Sequence, residues 1–247
     1  MVAILKKELN DFFSNITGYI VIIVFLVINS LFLWVLPTEY NILESGYAGL
    51  DTLFIISPWV FLFLVPAVTM KSIAEEKRLG TIELIYSRPI TEREIVWGKF
   101  FAAVLLVLLS LLPCVIYYIS VCFLGETPGN IDKGGTLGAF LGLFFLAAIY
   151  ASAGIFASSL TDNQVVAFIL AVFICFFLYL GFDAFAYMPG LKKIDEIVIN
   201  LGINEHYTSI SRGVIDIKDA AYFVALASIF NEATRFILLS RKWKKKR

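Results

Sequence analysis

The side chains able to do chemistry are few, and their spacing excludes most catalytic sites. His206 is the only histidine among 247 residues. A zinc centre or a Ser-His-Asp triad is hard to build around one isolated imidazole. Cys114, Cys122 and Cys175 each stand in an apolar run without metal-ligand spacing. They read as small buried side chains. No G-x-x-x-x-G-K-[ST] loop is present to cradle a nucleotide phosphate. Gly98-Lys99 fails as one, because Arg93 stands at the first glycine position and Phe100 follows the lysine. An intramembrane enzyme would need paired carboxylates, His or Cys at one depth, and no such cluster is visible. What remains is electrostatic: a charge-rich stretch from Met70 to Lys99, a polar loop around His206, and a few ionisable residues inside apolar runs.

Those intramembrane groups are functional hypotheses by default. Asp183 lies near the end of the fifth apolar run, where it can reach the interface. Glu232 and Arg235 are three residues apart in the sixth run, with Asn231 adjacent. On a helix they share a face and can pair, and Arg235 can snorkel toward the end of the run. A structural pair and a translocation element both fit. In the polar loop, His206, Ser211 and Arg212 suit either hydrogen bonds within the loop or contacts to a substrate or periplasmic partner. Asp219 is placed to cap the sixth run.

The elements that must position these groups are membrane spans. Apolar residues make up 60% of the chain and charged residues 16%, with a mean hydropathy of +0.85. Soluble domains carry about 25% charge. Six runs approach or exceed the roughly 20 residues needed to cross a bilayer: 18–36, 53–73, 98–124, 136–160, 165–188 and 220–239. No soluble domain fits between them, so residues 1–247 form a single all-α membrane domain. The net charge is zero, and no basic excess points to nucleic acid. Acidic residues in the n-region and a full-length first run argue against a cleaved signal peptide. If both ends are cytoplasmic, 14 of the 20 basic residues lie inside and 5 outside, with Arg235 in a span. That asymmetry sets the orientation. Residues 1–14 place Val2, Leu5, Leu9 and Phe12 at helical spacing, the pattern of a helix lying in the headgroup plane.

The second loop is a helix end, a short helix and a helix start. Gly80 suits a helix C-terminus. Thr81 is positioned to cap a short helix with Ile82, Ile85 and Tyr86 on one face. Pro89 ends it, and Thr91 with Glu94 forms a capping box for the third span. In the fifth loop, Ile194, Ile197, Val198 and Leu201 fit one face of a further short helix that Gly202 could end. Gly138, Gly142 and Gly154, with Ala147, Ala151 and Ser158, line the fourth span with small residues that permit close packing. Pro58, Pro66 and Pro113 can kink the second and third spans.

The stretch Glu75-Glu76-Lys77-Arg78-Leu79-Gly80-Thr81-Ile82-Glu83-Leu84, with Arg88-Pro89-Ile90 and Glu94 to Lys99, resembles the first cytoplasmic loop of type-2 ABC transporter permeases. Leu201 to Asp216 resembles the gliding-motility-associated branch of that family; the nitrous-oxide-reductase maturation permease is similar too. The resemblance implies six transmembrane helices, an N-terminal interfacial helix, a cytoplasmic coupling helix between the second and third spans, and short outer-face helices between the fifth and sixth. It implies a multi-pass subunit of a bacterial inner membrane with cytoplasmic termini. Its partners would be a separate ABC ATP-binding subunit and a second copy, permease or accessory membrane subunit. ATP and Mg²⁺ would be bound by the ATP-binding subunit and no cofactor by this chain. Glu75, Glu76, Lys77 and Glu83 would meet that subunit, Gly80 and Thr81 would shape the turn, and Ile82 and Ile85 would fill an apolar slot. The functions left open are export or force transmission, with gliding motility as the process, and a non-transporting scaffold or stator.

Overall fold

The computed structural model describes residues 1–125, 131–186, 198–213 and 216–244. The expected short helix at 194–201 lies mostly outside them. Among the described residues the fold is all-helical, and six helices are long and apolar enough to cross a membrane. Helix α1 is Val2–Ser14 and α2 is Ile16–Ser30, continued by a π turn at Leu31–Val35. A short α3, Ile42–Ser45, precedes α4, Asp51–Thr69. Then follow α5, Lys71–Arg78, and α6, Ile82–Tyr86. The third span is α7, Glu92–Leu111, and α8, Cys114–Leu124. The fourth is α9, Lys133–Leu160. The fifth is α10, Gln164–Phe176, a π turn at Phe177–Gly181, and α11, Phe182–Ala186. Helix α12, Ile203–Ser211, leads to the sixth span, α13, Ile217–Lys244.

Four spans outrun their apolar segments; the fourth begins at Lys133 rather than 136. The second continues past residue 73 to Arg78, the third begins at Glu92 rather than 98, and the sixth starts at Ile217 and extends beyond 239. Hydropathy marks only the stretch that hydrocarbon tolerates; a helix continues wherever its ends are capped or hydrated. The Thr91–Glu94 capping box forms as expected. Pro113 separates α7 from α8, whereas Pro58 sits inside an unbroken α4.

Helix α9 is the central post. It packs against α4, α7, α10, α12 and α13, and Leu143, Leu146, Ile149 and Tyr150 on it are fully buried. In a bilayer, helix association rests on close packing rather than on escape from water, and the glycines of α9 supply that. A Cβ on Gly154 would lie 2.0 Å from the Thr69 hydroxyl, and one on Gly138 would lie 2.6 Å from the Ile210 carbonyl. The small stripe therefore serves two neighbours: α4 near one membrane face and α12 near the other.

The joint between α4 and α5 is stitched by α9. The helix breaks at Met70. There the Ser158 hydroxyl accepts from the Ile73 and Ala74 amides at 3.0 and 2.9 Å and donates to the Met70 carbonyl at 2.9 Å. One side chain thus satisfies three backbone groups that the break leaves over. Ser158→Ala should destabilise the protein by about 1–3 kcal/mol, the cost of burying unpaired backbone groups. Thermal unfolding of the detergent-solubilised protein measures this; an unchanged midpoint would show that α4 and α5 are held by packing alone.

Candidate coupling site

Helices α1, α5 and α7 meet at the face that carries both chain ends, here termed the terminal face, in an ion network. Lys99 is 1% exposed at its side chain. Its ammonium donates to Glu8 Oε1 at 2.7 Å and to the Ser72 carbonyl at 2.7 Å, and lies 2.9 Å from Glu76 Oε1. Lys7 donates to Glu76 Oε1 at 2.6 Å and sits 3.4 Å from Glu8. Two cations and two carboxylates sum to zero, which is what allows four charges to be held so close in a low dielectric. Burial alone would push the Glu8 carboxyl up, but the Lys99 and Lys7 ammonium groups outweigh it and hold it below 4.5. Burial would also lower Lys7, but its hydrogen bond to Glu76 and the nearby Glu8 charge raise it above 10.5.

Sequence spacing explains how the network is reached. Ile4 and Glu8, four residues apart, share the face of α1 that packs on α7, and both are buried. A Cβ at Gly98 would lie 2.9 Å from the Ile4 Cβ, so the glycine before Lys99 lets α1 approach. The Val2, Leu5, Leu9 and Phe12 stripe expected to face lipid lies beside this contact; none of the four is fully buried.

The turn beyond α5 holds the expected coupling residues, and the structure divides them. Gly80 takes a left-handed φ of 71°, with open space around it, so a side chain is excluded there by backbone conformation and not by crowding. Glu75 is half-buried and pairs with Arg78 at 3.7 Å. Glu76 is committed to Lys7 and Lys99, and Lys77 donates to the Ser159 carbonyl at the end of α9. These two charges thus act inside the chain. Thr81 does not cap α6: it is in the helical region, and its hydroxyl makes a 3.4 Å bond to the Glu76 carbonyl. The first amides of α6 are instead satisfied by a tight turn on the Gly80 and Thr81 carbonyls. Ile82, expected to enter a partner's slot, is buried in the chain's own core, and Ile85 is half-buried. The helical stripe marks the inward face of α6. The exposed apolar side chains are Leu79 and Leu84, at 62% and 68%, beside exposed Glu83.

The remaining candidates are structural in placement. Asp183 Oδ2 accepts from Asn204 at 2.8 Å, tying the end of the fifth span to α12. Glu232 pairs with Arg235 at 2.8 Å and also receives Arg93 at 3.4 Å, joining α13 to the start of α7. On the face opposite the chain ends, His206 Nδ1 lies 2.6 Å from Asp219 Oδ1, its Nε2 lies 2.9 Å from the Asn200 carbonyl, and its ring stacks on Tyr222. Asp219 therefore does not cap the sixth span; Asp216 accepts from the Lys218 amide there. Ser211 donates to the Thr208 carbonyl. Ser211 and Arg212 line a cavity of about 1010 Å³ that also includes Asp51, Asp132 and Thr136. Among the described residues no cluster of three or more His, Cys, Asp or Glu could hold a metal ion.

Sequence reasoning missed the network itself. Its signals were present: Lys99 stands one residue inside an apolar run, and Glu8 lies four residues after Ile4 on α1. Lys99→Met should strand two carboxylates beside Lys7 and cost about 3–5 kcal/mol. The triple change of Glu8 and Glu76 to Gln with Lys99→Met should recover most of that. The sign of the pH response follows from the shifts. The Glu8 contribution is full above 4.5 and fades as pH falls through its lower folded value; the Lys7 contribution is full below 10.5 and fades above it. Hydrogen exchange of residues 2–14 should thus stay slow at neutral pH in the wild type and become fast in Lys99→Met. Equal exchange in both would show that the network does not hold α1.

The chain matches the family model described as "ABC-2 family transporter protein" over residues 2–231, which spans α1, all of the first five spans and half of the sixth. No curated protein matches it. With that match over most of its length and six span-length helices among the described residues, the chain belongs to the ABC-2 family of transporter membrane proteins.

Proposed function

We propose that this chain is the membrane-spanning permease subunit of an ABC transporter, and that a separate subunit binds ATP and Mg²⁺ and hydrolyses the nucleotide. The carrying observation is the exposed tip between α5 and α6. Leu79, Gly80, Glu83 and Leu84 project from a base that is bonded to three other helices: α1 and α7 through Glu76, and α9 through Lys77. A push on that tip is passed to the second, third and fourth spans together, because its base is held to each of them. On this reading Leu79 and Leu84 supply the apolar contact, Glu75 and Glu83 its charged rim, and Glu76 and Lys77 transmit load inside the chain. The terminal face is cytoplasmic, as the excess of Lys and Arg in its loops favours, and the membrane is a bacterial inner membrane. Helix α1 lies at the headgroup level of that face.

The pathway is completed by a second copy or a partner permease, and its output is export or force transmission. The resemblance of Leu201 to Asp216 to gliding-motility-associated permeases supports that process as the setting. The large cavity beside Ser211 and Arg212 gives a periplasmic partner or substrate a place to engage.

The test is ATPase activity of the complex reconstituted with its ATP-binding subunit. Leu84→Asp and Gly80→Pro should each lower permease-dependent activity by about tenfold, equivalent to about 1.4 kcal/mol of coupling. Insertion and thermal stability should be unchanged for Leu84→Asp, since that side chain is exposed. Wild-type activity in both variants would remove the coupling reading.

A further inference from the structure

The chain is neutral as a whole, but its terminal face is not. Arg241, Lys242, Lys244, Lys245, Lys246 and Arg247 put six cations into seven residues, with no Asp or Glu among them. The other side-chain charges of that face cancel. Nine carboxylates lie there, from Glu8 to Glu232, and nine Lys or Arg outside the basic segment, from Lys6 to Arg235. Five of the nine carboxylates are engaged with other cations. Glu8 and Glu76 hold Lys99 and Lys7, Glu75 meets Arg78, Glu94 meets the Met1 amine, and Glu232 meets Arg235 and Arg93. The surplus of six positive charges therefore belongs to residues 241–247. Two further observations bear on what those charges meet. First, the apolar run of the sixth span stops at Leu239, Arg241 follows at once, and α13 continues as helix to Lys244. At 1.5 Å per residue, Arg241 to Lys244 cover about 5 Å. One headgroup layer is about 5–7 Å deep. Second, Ile229 and Phe236, seven residues apart, are 62% and 68% exposed, whereas Ala227, Asn231, Thr234 and Leu238 form the buried side of α13. Trp243 stands seven residues after Phe236, in register with that exposed stripe. Tryptophan is a residue type enriched at the boundary between water and bilayer.

We propose that the segment beginning at Arg241 binds anionic phospholipid headgroups of the leaflet at the terminal face. A basic cluster directly after a span lies in the negative surface potential of such a leaflet. Phosphodiester oxygens accept charge-assisted hydrogen bonds from Lys and Arg. A choline or ethanolamine headgroup brings a cation with each phosphate, and that cation meets six like charges. An anionic headgroup brings none. An acidic protein surface would carry the right charge, but the segment starts within the headgroup layer, where a soluble surface does not reach. Orientation does not use these charges up. Without them, eight basic residues remain in the loops of the terminal side against five on the outer side. The bound lipid holds the end of α13, the helix that Glu232 ties to the start of α7.

The test is photocrosslinking of the full chain, with a photoreactive residue in place of Trp243, in nanodiscs holding equal amounts of phosphatidylglycerol and phosphatidylcholine with identical acyl chains. Mass spectrometry counts the lipid adducts. Phosphatidylglycerol should be labelled over phosphatidylcholine by about tenfold at about 0.1 M salt, the equivalent of about 1.4 kcal/mol. The excess should fall to near parity at about 1 M salt, where the screening length drops from about 10 Å to about 3 Å. Changing all six basic residues to Gln should give parity at both salt concentrations, and Arg241→Lys with Arg247→Lys should keep the excess. Equal labelling at low salt overturns the proposal, as does an excess that survives neutralisation of the six. Adducts on the ATP-binding subunit in place of lipid, in the reconstituted complex, overturn it too. The salt comparison needs only the charged chain, so it stands whether or not the neutralised one inserts. Neither readout depends on ATPase activity, so failure here and failure of the coupling reading remain distinguishable.

Discussion

A single buried cation organises the terminal face of this protein. Lys99 is withdrawn from water, and two carboxylates and a backbone carbonyl replace its hydration. The acceptors come from two other helices: Glu8 from α1, Ser72 and Glu76 from α5. An ammonium in a low-dielectric site tolerates little loss of partners. The three helices are thereby held in one geometry, and α1 is bound to the rest of the chain. The second lysine, Lys7, balances the extra carboxylate.

Around that anchor the second span is made stiff where it would otherwise bend. The helix breaks at Met70, and Ser158 of α9 supplies the lost hydrogen bonds. One turn further on, Lys77 reaches the last turn of the same helix. Gly154 lets α4 and α9 touch closely above this point. The α5–α6 tip is therefore the free end of a braced lever rather than a loose loop. The turn at Gly80, with its left-handed backbone, joins α5 to α6.

The opposite face uses the same economy of means with weaker charges. Helix α12 is held against α9 by glycine contacts at Gly138 and Gly142, against α4 by the Tyr207 hydroxyl on the Phe54 carbonyl, and against α13 by His206 and Asp219. Asp183 and Asn204 close the remaining side. The polar residues of this loop mostly hold it in place, and Arg212 beside its cavity is the exception.

Much of this was legible in the residues alone. Apolar run length gave six spans because a bilayer imposes that length on any helix that crosses it. The Thr91–Glu94 box, the left-handed Gly80 and the Glu232–Arg235 pair were readable because each depends on residues three or four apart, or on one residue's own backbone. What the sequence could not decide is which distant groups meet. Ile82 and Leu84 are both apolar and two residues apart, and only packing shows that the first faces inward and the second outward. Glu76, Asp219 and Ser158 each had a plausible role from spacing, but their partners lie 13 to 88 residues away. Local spacing encodes helices and their caps; the pairing of buried charges is settled only when the helices pack, since desolvation then makes every unpaired charge costly.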